Sequence, residues 1–194
     1  MDRLDCLPRT RTLRRASTLL AAALLAGASP NAITAQSTPA SGATIALLNL
    51  AFYGKHATEL QPDDSLLAHA ATATMRDYLR HAAGVVLTDS TTTAAAEQSQ
   101  RAREAAAGRP CNVIVACARA VGQELGVRWV VMAKVSKTTD LIWVLSGQLI
   151  DVPTGKLVYD DVYELKGIAR DMVPKGAQVW AQRITERVAP RSKP

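Results

Sequence analysis

The chain has 194 residues, of which 48% are hydrophobic and 4% aromatic; that suits one soluble domain and is short for two. Its net charge is +6, but the first 35 residues carry five arginines against two aspartates, and without them 18 basic and 15 acidic residues remain. So mild a positive balance argues against nucleic acid as a partner.

Residues 1–35 read as a secretory signal peptide. Arg9, Arg11, Arg14 and Arg15 form a basic stretch, and TLLAAALLAGA at 18–28 follows it. That apolar run is too short for an ordinary membrane helix. Cleavage is expected near Ala35, with Ala28 as the other choice, leaving a periplasmic or secreted protein with no membrane span. The alternative is a short buried helix, which the run of arginines argues against. No cysteine follows the apolar run, so no lipid anchor is indicated. Residues 36–43 are small and polar, a disordered linker. The folded part is then one αβ domain over 44–189, with a flexible tail at 190–194.

Residues 44–52 (TIALLNLAF) are almost continuously apolar, as in a central strand buried on both faces. A loop over 53–61 leads to Pro62-Asp63-Asp64, which opens a helix with Asp63 or Asp64 as its N-cap. Leu67, Ala70, Ala71, Thr74, Met75, Tyr78, Leu79 and Ala82 make its apolar face, and His69, Thr72, Arg76 and Arg80 point outward. Gly84 ends it, and 85–88 is a short strand. Residues 90–107 are alanine-rich and helical but lack large apolar side chains, which predicts a peripheral, loosely packed helix. Gly108-Arg109-Pro110 breaks it. A further helix starts at Ile114, with Cys117, Ala118, Val121 and Leu125 as its stripe and Gly126 at its end.

Three strands follow as an antiparallel meander, and they specify the fold. In 128–137, Trp129, Val131, Ala133 and Val135 share one face; Val130, Met132 and Lys134 share the other. Lys137-Thr138-Thr139-Asp140 makes a polar turn. In 141–150 the core face is Leu141, Trp143, Leu145, Gly147 and Leu149, where the glycine marks a bulge or a close approach by another element. Asp151-Val152-Pro153-Thr154-Gly155-Lys156 is the second turn. In 157–165, Leu157, Tyr159, Tyr163 and Leu165 lie on one face, interrupted by Asp161. Asp160, Asp161 and Glu164 could be read as a cation site, but alternation splits them between faces, so a charged, solvated strand edge is the better reading. Pro174 suits the first residue of a final helix, with Ala177, Trp180, Ala181, Ile184 and Val188 buried. The fold class is α/β (α+β): a mixed sheet of about five strands, ending in the meander, with helices packed on it.

Two cysteines remain after processing, Cys111 and Cys117. An oxidising compartment invites a disulfide between them. It forms only if Cys111 folds back over the first helical turn; otherwise both stay as inert buried thiols. A zinc site lacks a second ligand pair. His56 sits in a loop, while His69 and His81 are off the same helical face. Nucleophile elbow, glycine-rich phosphate loop and paired-cysteine motif are all missing. A stacking box of Trp129, Trp143 and Trp180 is less favoured than core packing. The sequence therefore names no catalytic residue, cofactor or metal ligand.

The pieces Cys111 and Cys117, Leu125-Gly126, Lys134-Val135-Ser136 and the turn at 151–156 resemble a DUF-type bacterial family of secreted proteins of unknown function. The resemblance covers about 44–189. Its wider fold is similar to the N-terminal domain of the translocation protein TolB and the periplasmic core of curli-secretion CsgG-like proteins. Where that family has an arginine-glycine-asparagine stretch after the last strand, this chain reads Lys166-Gly167-Ile168-Ala169-Arg170. The resemblance implies a periplasmic module that binds an envelope protein or assembles with itself, and it supplies no catalytic residues. The expectation is an exported, non-catalytic binding or envelope-assembly accessory. The alternatives are a small-ligand sensor, with its pocket between the first helix and the sheet, or a hydrolase whose site assembles only on folding.

Overall fold

The apolar run that opens the domain is where sequence and structure first differ, and the difference shapes the molecule. The computed structural model describes residues 42–54, 57 and 59–189. The expected signal peptide with its cleavage near Ala35, most of the linker, and the tail 190–194 lie outside these residues. Instead of one strand there are two, β1 (Ala43–Leu47) and β2 (Ala51–Tyr53), both parallel to β4 (Trp129–Lys137). Leu47 pairs with Val131 and Ala51 with Lys134, so one extra residue is spent in between. Leu48 and Leu50 remain buried while Asn49 turns out to solvent. A run that is apolar throughout has no period, so nothing in it announced the break.

After β2 come α1 (Leu66–His81), β3 (Val85–Leu87), α2 (Ser90–Glu97), α3 (Gln100–Ala106), a 3-10 turn (Cys111–Val113) and α4 (Val115–Glu124). Then β4, β5 (Ile142–Asp151), β6 (Lys156–Lys166) and α5 (Ala169–Val188) complete the domain. The six-stranded sheet runs β3-β1-β4-β5-β6, with β2 also on β4. β3, β1 and β4 are parallel neighbours, and β4-β5-β6 is the antiparallel meander that the alternation predicts.

Each face of the sheet has its own core. Val131, Ala133, Val135, Trp143, Leu145 and Leu149 pack under α1 and α5, against Met75, Leu79, Trp180 and Ile184. Val130, Met132 and Ile150 turn the other way, against Val121, Ala118, Cys117 and the small residues Ala96, Ala102 and Ala106. Both faces of β4 are thus assigned as its alternation requires. Gly147 is the close approach expected of it. A Cβ there would fall on the indole of Trp180 from α5.

Several expectations need correction. Lys137 is not in a polar turn. It ends β4, only 2% exposed, with its ammonium 2.8 Å from Asp64 Oδ2 and 2.7 Å from Asp140 Oδ1. Asp64 is correspondingly no N-cap. Its carboxylate accepts from the Gln61 N–H and from Lys137, while Ser65 occupies the cap position without a side-chain bond. Thr72 and Arg76 do not point outward. Thr72 Oγ1 accepts from the Leu50 N–H, and Arg76 donates to the Leu47 carbonyl at 2.8 Å. They satisfy the backbone that the break between β1 and β2 leaves without ladder partners.

Residues 90–107 form two helices rather than one. Asp89 caps α2 by accepting from Thr91 and Thr92, and Ser99 caps α3 by accepting from Ala102. They are not loosely packed, because Thr93, Ala96, Ala102 and Ala106 are small enough to sit close against α4 and are buried. The last helix starts at Ala169, so Pro174 lies inside it. Its ring forfeits one intrahelical N–H bond, beyond the first turn where proline is best tolerated. The stripe Ala177, Trp180, Ala181, Ile184 and Val188 is buried as expected.

Candidate interaction surface

The two helical layers do not cover the sheet equally. On the side of α2–α4, helices shield β1, β4 and the Asp151 end of β5, and leave β6 and most of β5 bare. Cross-strand register shows what lies there. One row is Ser136, Val144 and Glu164; the next is Lys134, Ser146 and Val162; the third is Met132, Gln148 and Asp160. Val144 and Val162 thus lie among both signs of charge on a pleated surface, while Met132 at its margin is buried. Val162 is 62% exposed and Val158 41%. Gln148 donates to Asp160 at 3.3 Å, and Lys134 lies over the Tyr53 ring.

β6 is the last strand in the sheet order. Its outward backbone groups have no ladder partner among the described residues, which is the template an incoming strand needs. The register slips at Val158, between the Leu149–Tyr159 and Ile150–Leu157 pairs, a bulge that twists the edge locally. Beside the 3-10 turn the bare face dips into a cavity of about 270 Å³, whose lining includes Asn112, Met132, Lys134, Ser146, Gln148 and Val162.

The opposite side of β6 is engaged. Tyr159 donates to Asp161 at 2.7 Å, Arg183 of α5 reaches the same carboxylate at 3.2 Å, and Arg187 lies over the Tyr159 ring. The Tyr159 hydroxyl, more than any other group, holds Asp161 below the usual carboxylate range. Burial first, then the bond to Tyr159, pushes the Tyr163 phenol far above its ordinary value. Asp160 and Glu164 are exposed on the bare face. The acidic trio is therefore split, and one member is tied to a helix.

Asn49, Arg76 and Asn112 form a further cluster, which only one polar residue inside an apolar run hints at beforehand. Arg76 lies 3.3 Å from Asn49 Oδ1, and the Asn112 amide donates to the Asn49 carbonyl at 2.8 Å. Burial lowers the Arg76 pKa and raises that of Glu97 nearby. His69 and His81 are exposed on α1, and His56 lies outside the described residues. Among the described residues no group of three His, Cys, Asp or Glu could hold a metal ion. No helix among them is long and apolar enough to cross a membrane. The space between α1 and the sheet, where a sensor pocket was expected, is filled by Ala71, Met75 and Leu79. Of the three tryptophans, Trp143 and Trp180 are buried and Trp129 half-buried at the core margin. Cys111 and Cys117 are joined, with their Cα atoms 5.2 Å apart.

Residues 43–183 match the family model DUF3280, described as a protein of unknown function (DUF2380). The chain belongs to this family. No curated protein matches the sequence of this DUF3280 member. Among solved structures it is similar to the LpoB C-terminal domain from Salmonella enterica, at 17% identity over 66% of this chain and 84% of that one, with a TM-score of 0.47. TolB from Acinetobacter baumannii is similar at 13% identity over 76% of this chain and 28% of that one, with a TM-score of 0.46. Lipoprotein GNA1162 from Neisseria meningitidis shares 13% identity over 78% of this chain and 99% of that one, with a TM-score of 0.44. The comparisons lend no support to the curli-secretion likeness. Likeness at this level names no partner and no activity for this chain.

Proposed function

We propose that this protein is an exported accessory module of the bacterial envelope, which binds a protein partner through the bare half of its sheet and the edge of β6. It carries out no chemistry of its own. The observation that carries this reading is the outer strand β6, packed against α5 on one side only, with Val162 62% exposed on the other. An extended partner segment would take its main-chain bonds from the β6 edge and its register from the rows of valine and charge. The basic stretch and apolar run of residues 1–35 support export. The filled space under α1 argues against the sensor, and the exposed, separated His69 and His81 supply no base for a hydrolase.

The test places a photo-crosslinking residue at Val162 and, as a control, at Lys175 on the exposed side of α5, in cells that make the full chain. A single adduct of defined mass in the envelope fraction, from Val162 and not from Lys175, is expected. An adduct of twice the chain's mass would make the partner a second copy. Cytosolic material with an intact N-terminus, or identical patterns from both positions, would overturn the proposal.

A further inference from the structure

The Cys111–Cys117 pair is not absorbed by the partner surface, and its surroundings are unusual for an inert structural bridge. A second cavity of about 270 Å³ opens directly on both cysteines, with Glu97, Arg103, Arg109 and Asn112 on its walls. Cys111 is 9% exposed and Cys117 fully buried, so an incoming sulfur meets Cys111. Cys117 is the third residue of α4, whose first turn has no side-chain cap and no acidic residue. Attack at Cys111 makes Cys117 the leaving group; the unpaired N–H groups of the first turn favour its thiolate, against its burial and the Ala102 carbonyl 3.1 Å from its sulfur. Arg103 and Arg109 on the walls favour both the approaching and the departing anion, and Glu97 opposes them. The bridge spans six residues, and by chain entropy so short a loop stabilises the fold somewhat less than a longer one.

The geometry points to a thiol–disulfide exchange site at Cys111–Cys117, reduced by a dithiol reductant while the domain stays folded. In the first step a reductant thiolate attacks Cys111 Sγ, the Cys111–Cys117 bond breaks, and the electron pair leaves on Cys117. The reductant's second thiolate then attacks its own sulfur in the mixed disulfide and releases Cys111. Each cysteine takes up one proton, so two electrons and two protons pass from the dithiol, which becomes a disulfide. Once reduced, the Cys117 thiol has an acceptor ready, the Ala102 carbonyl at 3.1 Å. The 3-10 turn loses its tether, and with it the firm placement of Asn112 on the Asn49 carbonyl.

The test uses the full oxidised chain with dithiothreitol as the probe, followed by alkylation and mass counting at urea concentrations below the unfolding midpoint. Reduction at a rate independent of urea is expected. It should be roughly fivefold slower in an R103Q/R109Q double variant of unchanged unfolding midpoint, the scale of a nearby charge in water. Faster amide exchange at Leu50 and Ala51 should accompany reduction. A chain isolated with both Cys111 and Cys117 as free thiols would overturn the assignment. So would a rate that climbs with urea in step with global unfolding, or a double variant reduced as fast as the parent.

Discussion

Lys137 closes β4 with its ammonium buried beneath Asp64 and Asp140 and over the Trp143 ring. Asp140 is a local partner, i to i+3, whereas Asp64 is 73 residues away in the chain. Asp140 first and Asp64 second raise its pKa above 10.5. Tyr163 behaves in the same sense, since its phenol is held neutral well past the ordinary 10.0. For both groups the stability is fully present below the unfolded pKa and is lost as pH rises above it. For Tyr163 the cause is that only the unfolded chain ionises there; for Lys137, that only the folded chain keeps its proton. The urea midpoint of the wild type should therefore fall from about pH 10 upward. Y163F should fall later and less steeply, because only the Lys137 contribution remains. Parallel midpoint curves for the two proteins would show that Tyr163 is not held neutral by the fold.

At the scale of elements, what could be read in advance was whatever repeats. β4 and β5 alternate, so their pairing and the closeness at Gly147 followed from the residues, but Leu141, expected on the core face, precedes β5 and is 65% exposed. The break between β1 and β2 did not, because TIALLNLAF offers no period and its Asn49 signals only in hindsight. The start of α5 did not either: Pro174 suits a first position, but Met172 and Val173 before it already pack on the sheet side. Of the interaction surface, the edge and the mixed outer face of β6 were legible, whereas the extent of cover by α2–α4 was not, since that depends on small residues packing tightly. The contact of α5 with β5 is open to test. At Gly147 an added methyl group would meet the Trp180 indole, which is fully buried and cannot swing away. Gly147→Ala should cost about 1–3 kcal/mol, the usual range for overpacking, read from urea denaturation. A neutral result would mean that α5 can lift off the sheet without loss.

For the whole molecule, the question is whether two cores on opposite faces of one sheet unfold as one. β4 argues that they do, because Val131 and Val135 serve one core and Val130 and Met132 the other. Neither layer can leave without stripping the strand that the other needs, and a domain of this size is ordinarily two-state. The tryptophans make a convenient reporter. Trp143 and Trp180 lie in the core under α1 and α5, and Trp129 packs against the same cluster. None belongs to the core under α4. Ile150, by contrast, is fully buried in that second core. Ile150→Val removes one methylene there and should cost about 0.5–1.5 kcal/mol. If the cores are coupled, tryptophan fluorescence will register the loss as fully as far-UV circular dichroism does, with the same shift in urea midpoint. A fluorescence transition that stays put while the dichroism moves would mean that the α2–α4 layer opens alone. In that case the wall of both cavities, and the bridge at Cys111, would be free to move while α1, α5 and the sheet hold.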